Sequence, residues 1–304
     1  MRDEVLFKND QKKGGGVMFV LMTDSNSEIP YQMADEYDIK CMLMPYIIDG
    51  EQFDYDLGRN TDFKAFFDRM KQGAEVSTVM RNTHDFVDFF RPLLEEGKDI
   101  LYIAFSSKLS GTYDCACMAK EEILQEFPGR RIEIVDTLAI SFCEGQLVYE
   151  AAKMRNAGKT LDEVKDWVEE NKQHAIAYFV VDDLVYLKRG GRVSGTAAAM
   201  GTLLSIKPIL YECPEGFLKV AEKAKGRKKA LKRLLEMLDE KKADERYALT
   251  IKHADCEEDA QYLKAKIQEK YSFNEIFIHW VGPVIGSHAG PGTLALVFMG
   301  KETR

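Results

Sequence analysis

The feature that most constrains this chain is a rhythm. Through its first half, short apolar runs alternate with amphipathic stretches, the pattern of strand–helix units that build a parallel sheet flanked by helices. The runs are Val17–Met22, Cys41–Ile48, Ile100–Phe105 and Ile132–Val135. Pro30 suits the first turn of a helix, where its missing N–H costs least. Thr61 is placed to cap a helix whose apolar face carries Phe63, Phe66, Phe67 and Met70. Phe86, Phe89, Phe90, Leu93 and Leu94 mark another helix. Asp49-Gly50 interrupts the rhythm with a hairpin signal, and Gln52, Phe53 and Tyr55 form the return strand, so a small antiparallel insert is expected.

The second half keeps a different beat. Ala175–Val181 reads as a strand and Leu184–Lys188 as a short helix. Ile206–Tyr211 and Phe217–Ala221 flank the turn Pro214-Glu215-Gly216, and a long helix follows Gly226. Tyr247–Ile251, Glu275–Trp280 and Thr293–Met299 read as further strands. This mixture predicts an α+β domain with a largely antiparallel sheet. A turn at Gly158–Asp162, with Thr160 as a fresh N-cap, sets the expected boundary between the two. The expected organisation is thus an α/β chain: a flexible extension over 1–16, a parallel-sheet α/β domain over 17–158, and an α+β domain over 159–304. The 304 residues are ample for two cores. Gly14-Gly15-Gly16 directly precedes the first strand, which makes Met18 the expected native start.

Several function classes are disfavoured. The net charge is −8, which lacks the basic field that gathers nucleic acid. The lysines and arginines crowded between Lys223 and Arg233 read as a solvated helix face. No apolar run approaches the ~20 residues of a membrane-spanning helix, and no secretory leader is visible, so a cytoplasmic protein is expected. Cys41, Cys115, Cys117, Cys143, Cys213 and Cys256 form no C-x-x-C and read as reduced thiols, and the histidines show no zinc-binding spacing. No metal or cofactor is expected. A phosphate-binding G-x-x-x-x-G-K-[ST] is absent, and Gly190-Gly191-Arg192-Val193-Ser194-Gly195 does not fit G-x-G-x-x-G.

Three polar segments remain as candidate chemistry. Ser77-Thr78-Val79-Met80 alone reads as a cap or turn. Ser107-Lys108-Leu109-Ser110-Gly111-Thr112 follows a parallel strand, at the carboxyl end where open α/β folds bind ligands. Ser110 near a helix start suits either an anion site or an ordinary cap. Gly286-Ser287-His288-Ala289-Gly290-Pro291-Gly292 reads as a rigid turn, either an incidental surface hairpin or a mount that lets His288 donate a hydrogen bond. Leu109-Ser110-Gly111 does not match the hydrolase G-x-S-x-G. Ser110, His288 and Asp24 could still form a triad on another fold, which keeps a serine-dependent esterase as the alternative.

Together these segments resemble the DegV family. Thr23-Asp24-Ser25 is similar to its opening T-D-S, and Leu109-Ser110-Gly111-Thr112-Tyr113 to its S-G-T-[YF] loop. The stretch from Asp183 to Arg192 is similar to D-D-L-x-x-L-x-R-G-G-R, Lys207-Pro208-Ile209-Leu210 to K-P-I-L, and Val284 to Gly292 to V-I-G-T-H-x-G-x-G. The resemblance runs from about Val17 to Lys301. It implies a two-domain binding protein, not an enzyme, with a tunnel between the domains for one long-chain fatty acid such as hexadecanoate. It further implies that Thr78, Ser110 and His288 hold the carboxyl group, with Gly111 and Thr112 supporting the loop. The family's T-S-Q-P loop is replaced here by Thr78-Val79-Met80-Arg81, which keeps the threonine and loses two polar neighbours. Some members present the acid to a fatty acid kinase, whose acyl-phosphate product serves phospholipid synthesis. Arg189 and Arg192, on an expected exposed loop near the tunnel mouth, would dock that partner or pair with a local carboxylate. The energetics suit a carrier: about fifteen buried methylenes at ~0.8 kcal/mol each give roughly 12 kcal/mol, less the ordering costs of association.

Overall fold

The computed structural model describes residues 19–193 and 206–304. The expected extension over 1–16, the start at Met18 and the Ser194-Gly195 end of the glycine-rich segment lie outside the described residues. Four strands form the first sheet: β1 (Val20–Asp24), β2 (Lys40–Met42), β6 (Ile100–Ala104) and β7 (Ile132–Asp136). Their order is β2-β1-β6-β7 and every pairing is parallel. Strands β1 and β6 are buried along their whole length, as continuous apolar runs in a covered parallel sheet must be. The mixed α/β class expected from the sequence is the one observed.

The insert is a three-stranded antiparallel sheet, with β3 (Pro45–Ile48) between β4 (Glu51–Asp54) and β5 (Val76–Thr78). Asp49 and Gly50 both take positive φ, 52° and 84°, as the tight hairpin requires. Strand β5 is a correction to the sequence reading: Ser77-Thr78 is no turn, and Thr78 pairs with Tyr46. A second correction concerns helix α2 (Phe63–Lys71). Its N-cap is Asp62, which accepts from the Ala65 N–H, while Thr61 donates its hydroxyl to Asp56.

The second half carries a six-stranded sheet: β8 (Ala175–Val180), β9 (Ile206–Glu212), β10 (Leu218–Lys225), β11 (Leu249–His253), β12 (Ile276–Trp280) and β13 (Leu294–Met299). The order is β10-β9-β8-β13-β11-β12, antiparallel except for β11 with β12. Its side chains alternate between two cores. Ile176, Tyr178, Val180, Ile251 and Leu296 pack with Leu231, Leu234 and Leu263 of helices α8 (Arg227–Glu240) and α9 (Glu257–Gln268). Ala175, Ala177, Val297 and Met299 turn the other way, into the core shared with the first sheet.

Helix α5 (Ser141–Asn156) lies between the two large sheets, touching β1 and β6 on one side and β8 and β13 on the other. Thirteen of its 16 residues are buried, and a helix apolar or buried all round has no face left for water. The next helix, α6 (Leu161–Asn171), opens on a capping box between Thr160 and Glu163 and packs on α5 and β7. Arg304 forms a further tie. Its guanidinium donates to Glu212 of β9 at 3.0 Å and to the carbonyls of Thr137, Leu138 and Lys172.

Candidate functional site

A cavity of about 240 Å³ lies where the insert, the loop after β6 and the inner face of the six-stranded sheet meet. Its wall is mostly apolar, with Met44, Phe105, Ile140, Phe179, Leu218 and Val284 among the lining residues. Small side chains on the sheet, Ala177 and Ala295, leave the space open. The cavity thus opens where alanines replace bulkier residues on the inner face of the sheet, between Phe179 and Val297.

Thr78, Ser110 and His288 all line this cavity, although each comes from a different part of the chain. Thr78 ends β5, and its Oγ1 lies 2.9 Å from His288 Nε2. Ser110 precedes helix α4 (Thr112–Ile123), and its Oγ lies 2.8 Å from Thr112 Oγ1. Gly111 also lines the cavity; a β-carbon there would lie 3.0 Å from Met80 Sδ, so the glycine lets the loop approach its neighbour closely.

His288 departs from the sequence reading. It is not held in a turn: Pro283–Ala289 forms helix α10, with Pro283 at its first position, and His288 stands in its last turn. The tight turn begins only at Gly290, whose φ is 82°. Burial, and then the nearby charge of Arg192, push the His288 pKa down to about 4. The ring is thus neutral at neutral pH and can donate from one nitrogen and accept at the other. Nδ1 is buried with no partner among the described residues. The ring packs on Gly190, where a β-carbon would come within 2.2 Å of Nδ1.

Arg189 and Arg192 separate in the structure. Arg189 is exposed at the end of α7 (Val185–Arg189), with its guanidinium 5.8 Å from the Tyr186 ring. Arg192 is not on an exposed loop. It is half-buried, lines the cavity, and donates to the carbonyls of Leu109 and Gly190. Its pKa is lowered by burial, and no carboxylate bonds it among the described residues. A half-buried cation near a neutral His, in a cavity also lined by two hydroxyls, favours an anionic group on a ligand.

The triad arrangement is not formed. Ser110 bonds Thr112, His288 bonds Thr78, and the Asp24 carboxylate accepts from Tyr102 at 2.7 Å and from the Asn26 N–H at 2.9 Å. Among the described residues there is no cluster of metal-ligating side chains, and no helix is long and apolar enough to cross a membrane.

The sequence reading missed Asn26, Ser141 and Lys252, which also line the cavity. Leu249-Thr250-Ile251-Lys252 alternates apolar and polar residues, and such alternation ordinarily means that one face meets water. Here Thr250 and Lys252 are buried, because the polar face is covered by the first half of the chain.

Comparison with known proteins agrees with this architecture. A family model described as "Uncharacterised protein, DegV family" matches residues 18–301. A DegV domain-containing protein of Clostridium perfringens is 45% identical over 283 residues, covering 93% of this chain and 97% of the relative. A Thermus thermophilus DegV family protein solved for its fatty acid binding superposes with a TM-score of 0.83 at 29% identity, covering 93% of this chain and 99% of the other. DegV of Bacillus subtilis, described as a fatty acid binding protein, gives 0.82 at 28% identity, covering 94% and 100%. With its model matched along nearly the whole described length, the chain belongs to the DegV family.

Proposed function

We propose that this protein binds one long-chain fatty acid, hexadecanoate in size or similar, with its carboxylate at Thr78, Ser110 and His288 and its tail in the apolar cavity. The observation that carries the reading is that these three side chains and the half-buried Arg192 line one mostly apolar cavity, with Thr78 Oγ1 and His288 Nε2 2.9 Å apart. Four donors in a largely dry site suit a carboxylate, and the neutral His288 can give a hydrogen bond without a competing proton equilibrium near neutral pH. The solved relatives described as fatty acid binding proteins support the same ligand class. Gly111 and Thr112 set the position of Ser110.

The protein acts on this reading as a cytoplasmic carrier rather than a catalyst. A separate fatty acid kinase would phosphorylate the presented carboxylate and so supply acyl groups for phospholipid synthesis. Arg189, which is exposed, would take part in docking that partner. Native mass spectrometry of the purified protein, followed by organic extraction, tests the ligand. A near equimolar long-chain acid is expected. Protein that stays empty, and whose melting temperature does not move with added acid, overturns the reading.

A further inference from the structure

A second polar group lines the same cavity. It draws Asn26 from the turn after β1, Ser141 from the start of α5, and Lys252 from β11. Glu28 ties Ser141 to Lys252: it accepts from the Ser141 hydroxyl, and its other carboxylate oxygen accepts from the Gly282 N–H, while Asn26 shares only the cavity wall with them. Lys252 Nζ lies 3.5 Å from Glu28 Oε2 and 3.5 Å from the Glu28 carbonyl oxygen. The Lys252 and Glu28 side chains are 1% and 0% exposed. Among the described residues, no side-chain hydrogen bond joins this group to Thr78, Ser110 or His288.

Two features exceed what a buried ion pair needs. An ammonium carries three donors, yet the contacts of Lys252 are long beside the ~2.7–2.9 Å of charge-assisted bonds. Asn26 is 4% exposed, and its Oδ1 is buried without a partner among the described residues. An unsubstituted acyl chain lying against this wall leaves both groups unsatisfied. A hydroxyl group is the smallest substituent that accepts from an ammonium and donates to an amide oxygen. A second carboxylate fits less well, because Glu28 already balances Lys252.

We propose that the Asn26–Glu28–Ser141–Lys252 cluster is a second subsite, which selects acyl chains bearing a hydroxyl along the chain over unsubstituted chains of equal length. The proposal rests on the fatty-acid reading above. Its test compares octadecanoic acid with a positional series of monohydroxyoctadecanoic acids by equilibrium binding to the full-length protein. At least one positional isomer is expected to bind about tenfold more tightly than the unsubstituted acid, the effect of one added charge-assisted bond. That ratio should collapse toward one in Asn26→Ala, and in a Glu28→Gln, Lys252→Met double variant that removes the ion pair without stranding a charge. If the unsubstituted acid binds and no isomer exceeds it, the cluster is structural only and the proposal fails. A preference that survives in both variants also overturns it. If neither the plain nor the hydroxylated acids bind, the fatty-acid reading fails first. The comparison on the natural protein needs no variant to fold.

Discussion

Thr78 Oγ1 and His288 Nε2 stand 2.9 Å apart although 210 positions separate them in the chain. The contact joins the end of β5 in the insert to the last turn of α10, so the site forms only when the insert has docked. Each partner alone has a plain structural role, one as a strand residue and the other as a helix residue. Their meeting inside an apolar cavity is what distinguishes them.

Removing one donor of the proposed carboxylate site should cost about 1–3 kcal/mol of binding, the range for a buried acceptor left unpaired. Ser110→Ala is the cleanest choice, because it deletes one oxygen and little volume. Titrations should show a larger loss for a fatty acid than for its methyl ester, and almost no change in stability without ligand. Equal losses for acid and ester would mean that Ser110 serves only the start of α4.

Gly190→Ala should displace the His288 ring without straining the backbone. Gly190 sits at φ −73°, a conformation alanine adopts freely, but the added methyl would meet Nδ1 at 2.2 Å. Fatty-acid affinity is expected to fall about tenfold, as if one hydrogen bond to the charged head had been lost. Binding at full strength in this variant would remove His288 from the proposed site.

The acid limb of the stability curve should carry a signature of His288. Its folded pKa of about 4 lies below the ordinary 6.5, so between these values the unfolded chain binds a proton that the folded protein does not. The stabilisation due to the neutral ring is complete above pH 6.5 and disappears as pH falls toward 4. Urea titrations of the natural protein and of His288→Asn should therefore diverge across this window. The natural protein should lose on the order of 2 kcal/mol more, a discounted value for a group that is not wholly buried. Parallel curves would contradict a depressed pKa.

Arg304→Met should destabilise the fold by about 1–3 kcal/mol, because the Glu212 carboxyl and the carbonyls of Thr137, Leu138 and Lys172 lose their buried donor. Burial already lifts the Glu212 carboxyl to about 7 despite Arg304. Adding Glu212→Gln should restore part of the loss in denaturant midpoint. No recovery would show that the carbonyls of Thr137, Leu138 and Lys172, rather than the ion pair, give Arg304 its effect.

Local patterns revealed much of this fold. Periodicity marked β1, β6 and β8, and Asp49-Gly50 marked the hairpin, because in each case the cause lies within a few residues of its effect. Ser77-Thr78 failed that test: three residues at an insert edge become a strand only because β3 lies beside them. Three glycines and a proline suggested a turn around His288, whereas Pro283 starts a short helix, Gly286 lies within it and Gly290 ends it. Lys252 was hidden for a different reason. A polar residue on alternate positions of a strand looks solvated until another part of the chain covers it.

The burial of α5 on every side has a consequence for how this molecule can be cut. A fragment ending near Asn171 would keep β1 and β6 against the helix but uncover the side that meets β8 and β13. Such a fragment would offer water a broad apolar strip and should accumulate as insoluble material. The complementary fragment would lack the cover for Ala177 and Val297. Neither half is a free-standing piece in the sense that sheets usually suggest. The shared helix makes the whole chain one unit of synthesis, to be expressed entire and melted in a single transition.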